Sequence, residues 1–197
     1  MKHLKLFFAL FAMLALGVGN AWAAEYELVT SEPSDWSGEY LVVYNKGCFN
    51  GSLTTGFDKS APVDVTISNN KINLDEKYAM IIGKQGTAYS LKTASGYYIG
   101  RESSSSNGMD ASQTWSTKYT INFTWDATKK TVKIAGKGGK CLGLNSTTWR
   151  FYAASNTYVN LSLYKKVESG SEEPVYSVTL DQPANGIISA EGLTDGK

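Results

Sequence analysis

The sequence predicts an all-β protein, and three observations carry that expectation. Short apolar or alternating runs recur through residues 26–166, turn residues punctuate them, and no stretch holds a helical period. Composition agrees, with 19 Gly and 12 Tyr against only 4 Pro, and abundant Ser and Thr. The expected strands are Tyr26–Thr30, Tyr40–Tyr44, Val63–Ile67, Tyr78–Ile82, Tyr89–Thr93, Tyr119–Trp125, Thr131–Ile134 and Val159–Tyr164. Asn69-Asn70, Gly83–Gly86 and Gly136–Gly139 read as turns between them, and residues 103–108 as an exposed loop.

An internal repeat sharpens the picture. Gly47–Gly51, Gly96–Gly100 and Gly139–Gly143 share an expected Gly-x-x-x-Gly turn, spaced 49 and 43 residues apart. Tyr40, Tyr89 and Val132 lie seven residues before the first glycine, and Val42, Leu91 and Ile134 lie five before it. Residues two apart on a strand share a face, so each pair can point into one interior. A second set, Tyr78/Met80/Ile82, Tyr119/Ile121/Phe123 and Val159/Leu161/Leu163, recurs at steps of 41 and 40. Three such copies suggest a closed barrel with pseudo-threefold repeats, because closure removes the exposed sheet edges that invite aggregation. Another β-barrel or a β-sandwich is the alternative.

The first 23 residues read as a secretory signal peptide. Lys2 and Lys5 form the positive start, Leu6–Leu16 the apolar run, and Ala21-Trp22-Ala23 a cleavage site after Ala23. The run is too short for a membrane helix, and no other segment approaches the required ~18 apolar residues. Secretion or display at the cell surface is therefore expected. Residues 24–166 form the expected β domain. Residues 167–174 are acidic and Ser/Gly-bearing, which suits a linker. From 175 to 197, Tyr176, Val178 and Leu180 alternate and a turn follows, as if a second, truncated β module began there, with further domains beyond.

Composition excludes several chemistries. The sole histidine is His3, inside the leader, which rules out Ser-His-Asp and Cys-His catalysis and histidine metal sites in the mature chain. With 19 basic and 18 acidic residues there is no electrostatic footprint for nucleic acid. No calcium loop or phosphate-cradling loop is present, and no metal or cofactor is expected. The carboxylates, among them Asp35, Asp58, Asp110 and Asp126, sit beside turn residues, where Asp and Glu more often serve turns or solvent than a facing catalytic pair. Cys48 and Cys141 can bridge, closing a loop of about ninety residues worth ~4 kcal/mol, or remain buried thiols. Asn50-Gly51-Ser52, Asn122-Phe123-Thr124, Asn145-Ser146-Thr147 and Asn160-Leu161-Ser162 match the N-glycosylation pattern, as a chain rich in these residues does by chance.

Aromatic side chains remain as binding candidates, since a sugar ring stacks its C–H face on Trp or Tyr. Trp36, Tyr98, Trp115, Trp149 and Tyr152 lie in or beside expected loops. Tyr97 and Tyr98 point to opposite faces of a strand, which exposes one. Core packing is the competing role for each, because aromatics bury large areas in small β domains.

Two phrases carry a resemblance. Gly139-Lys140-Cys141-Leu142-Gly143-Leu144 is similar to a stretch of the ricin-type lectin repeat, and Gln113-Thr114-Trp115 to its Gln-x-Trp signature. The resemblance spans most of residues 38–166 and implies a β-trefoil. Sugar-binding copies of those lectins carry an acidic residue after the Cys-Leu pair, where this chain has Gly51, Gly100 and Gly143. The stretches Tyr26–Thr30, Gly38–Tyr44, Trp149–Tyr152 and Leu161–Lys165 resemble accessory domains of secreted multidomain Bacteroidetes proteins, and Tyr176–Ser189 resembles internalin-like surface β-repeats. These likenesses imply a secreted or surface context more than an activity, and with the loop aromatics the expectation is a non-catalytic module that binds glycan or another surface protein. A ligand-free structural spacer is the alternative, and a carboxylate hydrolase a third reading.

Overall fold

A computed structural model describes residues 23–168. The expected leader up to Trp22, the linker beyond Glu168 and the second module at 175–197 lie outside the described residues.

The described residues are all-β: fourteen strands form one curled antiparallel sheet. In order they are β1 (Ala23–Leu28), β2 (Gly38–Tyr44), β3 (Gly47–Cys48), β4 (Val63–Asp64), β5 (Lys71–Asp75), β6 (Met80–Gln85) and β7 (Ala88–Thr93). There follow β8 (Tyr98–Gly100), β9 (Asp110–Ser112), β10 (Thr120–Asp126), β11 (Thr131–Gly136), β12 (Cys141–Asn145), β13 (Thr148–Tyr152) and β14 (Ser162–Lys166). Single 3-10 turns at Glu76–Tyr78, Thr117–Tyr119 and Thr157–Val159 lead into β6, β10 and β14. These turns take up the first residues of three expected strands, because each closes on its own backbone carbonyl before the extended run begins.

Six of the longer strands contribute to the main core. β2 pairs with β6, β6 with β7, β7 with β10, β10 with β11, and β14 with β2. An isolated bridge joins β11 to β14, where Val132 and Leu161 exchange hydrogen bonds of 2.8 and 2.9 Å. Across these ladders Tyr40 faces Met80, Tyr89 faces Ile121, and Val132 faces Leu161. One step along, Val42 faces Leu163, Ile82 faces Leu91, and Phe123 faces Ile134. All twelve side chains belong to one apolar cluster, with Tyr89 and Phe123 at its margin, and Val42, Leu91 and Ile134 are wholly buried in it. Three short hairpins, β3–β4, β8–β9 and β12–β13, lie off the six strands. The loops beside the first two bond to β13, Ser60 with Trp149 and Gly108 with Phe151.

A second apolar cluster sits outside the first. Alternation along β2 sends Leu41 and Val43 away from the main core, where they meet Tyr26, Cys48, Ile72 and Tyr164. β1 builds this layer by pairing with β14 on one side and β5 on the other. The extended strand expected at Val63–Ile67 shortens to β4. The chain then reverses through Asn69 and Asn70, both in the left-handed region at φ 51° and 63°, to form β5. Asparagine tolerates that conformation, which two-residue hairpins require at both central positions.

Candidate functional site

The five aromatic candidates divide sharply. Trp149 is wholly buried and packs edge-on against Phe49, ring centroids 5.6 Å apart. Trp36 is buried and stacks on Phe123 at 4.7 Å, with Trp125 tilted against it at 6.0 Å. Tyr152 is buried beside Cys141 and Val159, and its hydroxyl donates to the Thr148 carbonyl at 2.9 Å. These three therefore serve packing, and none offers a ring face to a ligand. The burial follows from strand period: Trp149 and Phe151 alternate on β13 toward the core beneath the short hairpins.

Tyr98 and Trp115 remain, and the structure brings them together. Both are half-buried, their ring centroids 5.4 Å apart in an edge-on arrangement. Tyr98 pairs across the ladder with Lys92 on one side and Ser112 on the other. The Lys92 ammonium lies 5.2 Å over the Tyr98 ring. Trp115 arrives through a tight turn in which the Thr114 amide donates to the Ser112 hydroxyl at 3.0 Å. Two ring surfaces, one ammonium and the hydroxyls of Ser112 and Thr114 thus gather on one outer patch. Tyr97 turns the other way and meets Phe57, centroids 4.4 Å apart. That partner carried no sequence signal, since Phe57 sits in a loop without periodicity.

The glycines aligned with the lectin acids leave no room for one. A methyl on Gly143 would stand 2.7 Å from the Tyr158 carbonyl oxygen. On Gly100 it would stand 3.0 Å from the Tyr119 Cα, and on Gly51 it would overlap the Ala79 carbonyl oxygen. Each glycine abuts the 3-10 turn ahead of the next long strand, so an acidic side chain at these places is sterically barred.

The cross-link that the sequence left open between Cys48 and Cys141 is not made. Both are free, buried thiols, Cys48 beside Leu41 and Ile72, Cys141 in a separate cluster with Tyr152 and Val159. Burial pushes the Cys48 thiol up to about 12, so it stays protonated and inert.

Among the described residues no carboxylate is buried, and no cluster of three or more potential ligands could hold a metal. Four carboxyls are held below their ordinary range by local donors: Asp35 by the Ser37 amide, Asp75 by Lys77, Glu102 by Lys137 and Asp126 by the Lys129 amide. No helix among the described residues is long and apolar enough to cross a membrane.

A second feature escaped the sequence. An open groove of about 600 Å³ runs between the β10–β11 hairpin and the loop 153–160. Thr124 pairs with Lys133 across this hairpin, and Asp126 with Thr131, so these four share its outer face. Asn156 and Asn160 line the opposite wall. The signal was hidden because the two walls lie more than twenty residues apart and neither has a motif. No known family model matches the chain, and no curated protein is similar to it.

Proposed function

We propose that this protein is an exported, non-catalytic module that binds carbohydrate through the Tyr98–Trp115 patch, on a β-trefoil scaffold. The observation that carries the site is the fate of the five candidate aromatics. Three are spent on packing, while Tyr98 and Trp115 sit side by side, part-exposed, with hydroxyls and an ammonium around them. That combination suits a sugar, whose apolar ring face meets an aromatic while its hydroxyls meet polar groups.

The trefoil reading draws support from the strand pairings. Tyr40–Met80, Tyr89–Ile121 and Val132–Leu161 are the positions that the repeat aligns, and each is a cross-strand pair. In a trefoil they are one contact made three times, and the Val132–Leu161 bridge is the seam that closes the barrel. The glycines at 51, 100 and 143 then share one role under three equivalent turns. Export rests on the pattern of residues 1–23. The non-catalytic reading rests on a chain without histidine beyond His3 and on shifted carboxyls that all move down, away from a general acid.

The test is binding of the mature chain to a broad neutral-glycan panel. Trp115→Ala and Tyr98→Ala are expected to weaken capture about tenfold or more, with unfolding midpoints little changed, because both rings are part-exposed. Trp149→Ala serves as contrast: it should cost about 3–5 kcal/mol in chemical denaturation, as removal of a core indole does. Clean failure on every glycan, with a stable fold, would instead favour a ligand-free spacer.

A further inference from the structure

The groove between β10–β11 and the loop 153–160 goes beyond the aromatic patch, and its charge is unbalanced. Three ionisable side chains line it: Asp126, Lys129 and Lys133. Asp126 is consumed by its own turn, accepting from the Thr128 and Lys129 amides at 3.1 and 3.0 Å and pairing with the Lys129 ammonium at 3.5 Å. Lys133 has no such partner. Its ammonium donates once, to the Ala154 carbonyl at 2.8 Å, and no carboxylate among the described residues lies within ion-pair distance. One positive charge is left over, with N–H donors to spare.

The other walls are neutral and polar. Asn156 and Asn160 each use an amide N–H within their own turns, to the Ala153 and Thr157 carbonyls at 3.0 and 3.1 Å, which leaves their side-chain oxygens as acceptors. Thr131 also lines the groove, its hydroxyl enclosed by the protein itself. A groove of about 600 Å³ is larger than a small inorganic anion needs and falls in the range of small-molecule sites. Two free amide oxygens beside a single unmatched cation describe a hydroxyl-bearing ligand with an anionic group.

We propose that this groove is a second site, and that it binds an acidic saccharide whose carboxylate pairs with Lys133. A carboxylate on the ammonium makes a charge-assisted hydrogen bond, roughly twice as strong as a neutral one. The sugar hydroxyls donate to Asn156 and Asn160.

Calorimetric titration of the mature chain with digalacturonate, and with neutral galactobiose of the same linkage, tests this at low salt. Digalacturonate is expected to bind about tenfold more tightly, and added salt to narrow the gap. Lys133→Gln should abolish the difference, and Lys133→Arg should keep it. Ser155 lines the groove and is exposed, so Ser155→Asp adds a repelling charge without disturbing the fold and should also abolish it. Trp115→Ala should leave digalacturonate binding intact, which separates this site from the aromatic patch. Equal affinity for the two sugars, no measurable digalacturonate binding, or wild-type binding by folded Lys133→Gln or Ser155→Asp would overturn the proposal.

Discussion

Glycine carries two different loads at the residue scale. Gly96 and Gly139 sit in the left-handed region at φ 97° and 79°, where a turn demands it, and a Cβ there would meet open space. The first motif puts its left-handed residue elsewhere, at Asn45 with φ 54°, and Gly47 lies in β3. The second glycines, by contrast, share one cause: backbone passes where a side chain would stand. Replacement by alanine forces a core shift of the overpacking kind. We expect Gly51→Ala and Gly143→Ala to cost about 2–3 kcal/mol in urea denaturation, and Gly100→Ala about 1 kcal/mol, since its nearest neighbours stand farther off. Equal, negligible costs would show that the turns yield freely. The repeat pattern was thus legible as three spaced glycine pairs, but which glycine was sterically required was not.

At the element scale, alternation and short apolar runs placed eight of the fourteen strands. β2, β7, β10 and β11 fall where apolar residues recur every second position. β3, β5, β8, β9, β12 and β13 escaped; in β5, Ile72 and Leu74 give too short a run to stand out, and the strand exists through pairing with β1 forty-odd residues earlier. The β11–β14 contact is a single bridge held by two hydrogen bonds. Native-state hydrogen exchange checks it. The amides of Val132 and Leu161 should exchange as slowly as those of Leu91 and Ile134, through global unfolding alone, whereas the short strand β9 should open locally and exchange sooner. Rapid exchange at Val132 and Leu161 would mean an open seam and would remove the closed barrel from the proposal.

The whole molecule has a charge inventory that fixes its response to pH. Asp35, Asp75, Glu102 and Asp126 titrate below their ordinary values when folded, so the unfolded chain takes up protons first as pH falls. Their contribution is present above the unfolded carboxylate range, near 4, and is lost as pH drops through the folded values. At the other end, burial raises Tyr26, Tyr40 and Cys48 to about 12. Here the unfolded chain loses protons first, so stability is full below the ordinary values and declines as pH climbs toward 12. With His3 the sole histidine, the thermal midpoint of the mature chain should be nearly flat from about pH 5.5 to 8.5 and fall on both sides. A midpoint that moved steeply near pH 6.5 would contradict this account.

The all-β class, the recurrence of paired apolar positions and the presence of a single histidine, His3, were all legible in the sequence alone, because strand period and composition are local properties. The tertiary structure decided the fate of each aromatic, since Trp115 and Trp149 look alike in a string and differ only in what packs over them. It also decided that Cys48 and Cys141 stand apart, and that Lys133 faces a loop with no carboxylate to meet it. Burial, pairing and unmatched charge depend on which distant segments meet, and spacing along a chain does not encode that meeting.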